Sequence, residues 1–141
     1  MKVRVFLFAC LVLFGGCVFR YAEGLETTNT PHKVSLINLV ATPEKYDGKI
    51  IIVTGFLNLE FEDYALYFHS EDYERALTAN SITISVQDDP ELKKLDKKYV
   101  VIQGVFRSFG DLRYSRGHGH IENIERIAEL GGQFNVWKAK K

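Results

Sequence analysis

YDGKIIIVTGFL, residues 46–57, and KKYVVIQGVF, residues 97–106, share a pattern in which a β-branched run meets a lone glycine and then resumes apolar. Glycine inside a strand gives up backbone entropy and adds no side chain to packing, so two at matching places predict a geometric demand such as a bend or bulge. In a strand over residues 49–61, Ile51, Val53, Leu57, Leu59 and Phe61 share one face with Gly55. Ile50, Ile52, Thr54, Phe56, Asn58 and Glu60 take the other, so the first half is apolar on both sides.

Upstream, Ser35 can cap a short helix whose apolar face is Leu36, Ile37, Leu39 and Val40. Thr42-Pro43 ends it and starts a second turn, threonine as cap and proline at the first helical position. Downstream come a short strand over 65–69, a small helix opened by Ser70-Glu71-Asp72, and a third strand in which Ile82, Ile84 and Val86 alternate with Thr83 and Ser85. Asp89-Pro90-Glu91 starts a short amphipathic helix carrying Leu92 and Leu95, and a fourth strand runs over 99–109. Ile121, Ile124 and Ile127 recur every three residues, which fits neither template cleanly; a helix beginning near Glu122 is one reading, and a fifth strand with a bulge near Asn123 is the one expected, because the fold requires a closing strand.

Five strands with a helix between the third and fourth make the element string of an OB-fold, so the expected class is mainly β with short helices: a five-stranded OB-fold-like Greek-key barrel with an N-terminal helical extension. In so small a barrel the first strand serves both sheets and must bend, and Gly55 is placed for that bend. The fourth strand pairs with the first in this fold, which puts Gly104 beside the same corner. The plainer reading is that each glycine relieves crowding by a neighbouring aromatic ring.

The N-terminus reads as an export signal over residues 1–24. Lys2 and Arg4 precede an apolar run over 5–14 that is too short for a membrane helix. LFGGC, residues 13–17, resembles a bacterial lipobox, with Phe14 where leucine is usual. Cleavage before Cys17 would leave a lipidated cysteine; cleavage near Gly24, after Ala22-Glu23, would leave a soluble periplasmic protein; an uncleaved anchor is the third outcome. Cys10 and Cys17 are the two cysteines and both lie in this segment, so the folded part relies on core burial rather than a disulfide. The formal charge is balanced at 18 basic and 18 acidic residues, and removal of Lys2 and Arg4 leaves 18 − 2 = 16 basic against 18 acidic, mildly negative. Residues 25–33 read as a tether, 34–130 as the domain, and 131–141 as a surface tail with Trp137 as its potential anchor.

The chain resembles a group of small uncharacterised bacterial envelope proteins, often lipoproteins, with an OB-like core. The resemblance covers roughly residues 34–130. It rests on Tyr46-Asp47-Gly48-Lys49 with the apolar run to Gly55, on Leu66-Tyr67-Phe68-His69-Ser70, on the strand over 100–104, and on Gly119-His120-Ile121 with Ile124. It implies an exported protein, membrane-attached or periplasmic, and brings no agreed activity and no catalytic residue.

The stretch RSFGDLRYSRGHGH, residues 107–120, is the candidate ligand-binding loop, because the loop between the last two strands borders the usual OB ligand face. Arg107, Arg113 and Arg116 with Phe109, Tyr114, His118 and His120 could recognise phosphates, carboxylates, sugars or bases by hydrogen bonding and stacking. The plainer reading is a solvated hairpin tip whose arginines pair with nearby acids. His118 and His120 would face one side of a strand, yet two imidazoles are too few for a metal site and His69 could join them only by a coincidence of the fold. No metal or cofactor is expected.

Tyr64, Tyr67, Phe68 and Tyr73 could form a stacking surface for single-stranded nucleic acid, but Glu60, Glu62, Asp63, Glu71, Asp72 and Glu74 surround them and repel phosphates. The rings are expected to divide between core and helix packing, and Lys93, Lys94, Lys97 and Lys98 to form a solvated face. No nucleophile with a plausible base, no phosphate-cradling motif and no carboxylate pair emerges, so the chain is read as a non-catalytic binding module for a protein, glycan or small anionic ligand. The alternatives are a single-stranded nucleic-acid binder and a metal-binding or structural envelope subunit.

Overall fold

The computed structural model describes residues 30–60, 63–110, 117–132 and 136–139. Cys17, the rest of the expected export signal, Phe61, Arg113, Tyr114 and Arg116 lie outside the described residues. The described chain is mainly β, with seven strands in one mixed sheet: β1 (His32–Lys33), β2 (Ile50–Glu60), β3 (Asp63–Tyr67), β4 (Ser81–Ile84), β5 (Tyr99–Ser108), β6 (Gly119–Glu129) and β7 (Val136–Lys138). Short helices α1 (Leu36–Ala41), α2 (Ser70–Glu74) and α3 (Pro90–Lys93) lie between them.

β2 runs antiparallel to β3 and to β5, β3 is antiparallel to β4, β4 is parallel to β6, and β6 is antiparallel to β5. Each of these five strands therefore has a neighbour on both edges, and the pairings return to the strand on which they began. The two eleven-residue strands each change partners along one edge. β2 meets β1 at Ile51 and Ile52 and β3 from Phe56 to Glu60, while β5 lies along its other edge from Ile50 to Phe56. β6 meets β4 at His120 and Ile121, and meets β7 from Arg126 to Ala128.

Alternation places Ile51, Val53, Leu57 and Leu59 of β2 in the core with Val100, Ile102 and Phe106 of β5 and Ile121 and Ile127 of β6. Helix α1 adds Leu36 and Leu39, each almost wholly buried and worth about 1.5–3 kcal/mol. The Ser35 hydroxyl accepts from the Asn38 N–H and caps that helix as its sequence predicts, while Ile37 is 56% exposed rather than part of the packed face. Thr42 does not cap the following 3-10 turn; its hydroxyl donates back to the Asn38 carbonyl. The cap of α2 is His69, one residue before the expected serine, and the Asp72 carboxylate accepts from the His69 N–H. Asp89 caps α3 by accepting from the Glu91 N–H.

Strand β6 resolves the three-residue period of isoleucines. It takes four steps from Glu122 to Arg126 where β5 takes two, from Val105 to Gln103, and the excess is absorbed in a bulge containing Asn123 at φ 47°. Gly104 faces this bulge: a Cβ there would lie 2.8 Å from Ile121 Cγ2 and 2.9 Å from the Glu122 carbonyl oxygen. The two strand glycines do not share a corner, because Gly55 lies opposite Val100 and Gly104 opposite Ile51, four positions along β2. Two boundaries also extend past the expected domain. Lys33 belongs to β1, and Trp137 in β7 pairs with Ile127 and packs on the core.

Candidate functional site

The end of β5, the start of β6 and the turn before β2 are tied together by backbone hydrogen bonds. Gly48 N–H donates to the Phe106 carbonyl over 2.8 Å, Phe106 N–H donates to the Lys49 carbonyl over 3.0 Å, and Ser108 N–H donates to the Asp47 carboxylate over 2.9 Å. Gly119 is needed at this end: a Cβ there would lie 2.4 Å from the Arg107 carbonyl oxygen and 2.5 Å from the Phe106 ring. With Phe106 turned inward, Arg107 faces outward opposite His120.

Arg107, Phe109, His118 and His120 gather here. Arg107 Nε donates to Glu122 Oε1 over 2.7 Å, and His120 Nε2 lies 3.5 Å from Glu122 Oε2. The Arg107 hydrogen bond holds the Glu122 carboxyl below its ordinary range, with His120 acting the same way and burial opposing both. Glu122 in turn raises the Arg107 guanidinium above its usual value. The Phe109 ring stacks on His120 at 5.4 Å and 25°, and Phe109 N–H donates to the His118 carbonyl. His118 Nε2 lies 3.1 Å from the Ala79 carbonyl, which ties the end of this loop to the turn before β4. His120 Nδ1 is buried without a hydrogen-bond partner among the described residues. The cluster is an aromatic pair beside an arginine whose charge is already met by a carboxylate.

His118 and His120 are thus committed to different partners, and the His69 ring lies against Phe68. Among the described residues no three His, Cys, Asp or Glu side chains gather to hold a metal ion.

The aromatic candidates near β3 have packing roles. Tyr64 and Phe68 sit against the main core, and Tyr67 forms a second cluster with Phe56, Ala65 and Tyr73. Sequence reasoning missed the polar network beneath that cluster. Asn58, fully buried, donates to the Asp63 carbonyl and carboxylate at 2.7 Å each and accepts from Lys97 Nζ. Lys97 also lies 3.0 Å from Glu60 and 3.7 Å from the centre of the Tyr73 ring, while the Tyr67 hydroxyl donates to Asp63. Burial, and then the Asp63 contact, push the Tyr67 phenol well above its ordinary value. The alternation that placed Asn58 on the outer face could have flagged it, but not the Lys97 that reaches it from 39 residues away.

The lysine-rich stretch is not a free basic patch. Lys93 pairs with Asp88, Lys94 with Glu91, Lys97 with Glu60 and Lys98 with Glu129. Comparison of the chain with protein-family models, curated proteins and solved structures finds no match.

Proposed function

We propose that the five mutually paired strands form an OB-type barrel, and that the chain is a non-catalytic, envelope-associated binding module for a glycan or protein. The fold reading is supported by the cycle of pairings β2–β3–β4–β6–β5–β2 with its parallel step between β4 and β6, and by α3 between β4 and β5, the third and fourth of these strands in chain order. The observation that carries the functional reading is the Phe109–His120 ring pair at the end of β5 and β6, beside the Arg107–Glu122 pair. Ring faces edged by hydrogen-bonding groups suit a sugar or a peptide surface. An arginine already matched by a carboxylate offers less to a small anion or a phosphate backbone.

Titration with a neutral N-acetylated oligosaccharide tests this reading. Saturable binding that is weakened at least tenfold by Phe109→Ala is expected. Absence of binding by the oligosaccharide, together with salt-dependent binding of single-stranded DNA, would replace it with the nucleic-acid reading. Envelope association is checked by cell fractionation with mass analysis of the mature N-terminus, for which a diacylated or triacylated Cys17 is the expected result and a cytoplasmic full-length chain the contrary one.

A further inference from the structure

The outer face of β1, β2, β5, β6 and β7 carries a row that crosses all five strands in register: Lys33, Ile52, Gln103, Arg126 and Lys138. Arg126 and Lys138 are directly opposite each other, both exposed, and neither has an ion-pair partner among the described residues. Like charges in direct cross-strand register oppose pairing, so this pair costs stability unless an anion joins it. The next row on the same face is apolar or nearly so: Thr54, Val101, Ala128 and Val136.

An open trough runs along these rows. Its middle, about 750 Å³, lies over Thr54, Gly55, Val101 and Tyr99 and reaches Val34 and Phe68. It shares Ile52 and Val101 with a smaller cleft of about 210 Å³ that contains Arg126, Ala128 and Leu130. At the other end it shares Leu36 and Phe68 with a second cleft of about 210 Å³ beneath Ile37 and Val40. Ile37, Tyr99 and Leu130, exposed at 56%, 38% and 53%, edge the three clefts in turn. Among the described residues the central cleft and the α1 cleft contain no carboxylate, and Glu129 in the third is engaged by Lys98.

We propose that this trough binds a single-chain anionic amphiphile, its carboxylate or phosphate at Arg126 and Lys138 and its acyl chain along Val101 and Ile52 towards Phe68. The mainly apolar lining, in which Val34, Leu36, Ile52 and Val101 lie beside the rings of Phe68, His69 and Tyr99, suits an acyl chain. An extended peptide would need free backbone groups, and those on the floor are spent: Ile52 pairs with both Lys33 and Gln103, and Val101 with both Thr54 and Ala128. The concave shape suits one chain rather than a bilayer surface. The site is separate from the Phe109–His120 cluster, so either proposal can fail alone.

The test is calorimetric titration of the purified protein with sodium dodecanoate below its micelle concentration, with dodecyltrimethylammonium as the matched cation. Saturable dodecanoate binding is expected, at least tenfold tighter than the cation. Arg126→Gln, at an exposed position, and Val101→Asp should each weaken it at least tenfold, while Lys94→Gln, remote from the trough, leaves it unchanged. If Val101→Asp fails to fold by circular dichroism, Arg126→Gln alone decides. No saturable binding, equal binding of the two head groups, unchanged affinity in Arg126→Gln, or binding to anionic vesicles without binding to monomeric dodecanoate would each overturn the proposal.

Discussion

Gly55 lies one residue before Phe56, where pairing with β5 ends on one edge of β2 and pairing with β3 begins on the other, and a Cβ at Gly55 would approach the Tyr67 carbonyl oxygen to 2.6 Å and Leu66 Cγ to 2.7 Å. The backbone oxygen cannot yield without moving the β2–β3 ladder. Gly55→Ala is therefore expected to cost about 1–3 kcal/mol, read as a lowered urea midpoint with an unchanged slope. Tyr67 carries a pH signature. Its phenol is raised above the ordinary 10.0 by burial first and by Asp63 second, so the stability it contributes is complete below pH 10 and is lost as pH climbs towards its folded value. Tyr67→Phe loses the hydrogen bond to Asp63 and is expected to be less stable near neutrality, yet to lose less on passing above pH 10. Urea midpoints at both pH values check this, and parallel losses in the two proteins would contradict it.

At the scale of the element, β6 shows what a periodicity can and cannot carry. The three-residue spacing of Ile121, Ile124 and Ile127 marked a bulge near Asn123 but left its size open, because that depends on the opposing register of Val105 and Gln103. Asn123 holds φ 47°, a conformation open to asparagine and glycine and strained for β-branched residues. Asn123→Val is expected to cost about 1–2 kcal/mol and Asn123→Gly a few tenths, compared by urea midpoints. A neutral Asn123→Val would mean that the bulge is not held at this residue. α1 shows the complementary case: Ser35 announced its start, while Ile37 reads as core from its neighbours and is exposed at the edge of the cleft it lines with Leu36 and Val40. The caps at Ser35 and Asp89 and the strand interiors were legible because they rest on local chemistry, whereas Thr42 and Ser70, read as caps, are not. β1 and β7 were not, since His32–Lys33 and Val136–Lys138 carry little strand signal of their own and are ordered by pairing with β2 and β6.

For the whole molecule, the sequence order of elements was enough to suggest which strands meet, but not what their outer faces present. The cluster at Arg107 was visible as a run of arginines, rings and histidines; that Glu122 neutralises Arg107 depends on the β5–β6 register. The cationic row of Lys33, Arg126 and Lys138 was invisible, since its members come from three distant segments. The OB-type reading depends on the five strands closing on one another, which requires β5 to lie between β2 and β6 and β4 to run parallel to β6. Cross-strand nuclear Overhauser contacts in the assigned protein test that arrangement most directly. Contacts linking Ile51 with Gly104, Ile102 with Ile127 and Ile84 with Ile121 in the same folded species are predicted. A folded species in which the Ile84–Ile121 contacts are absent while the other two sets persist would show an open sheet and contradict the OB-type reading.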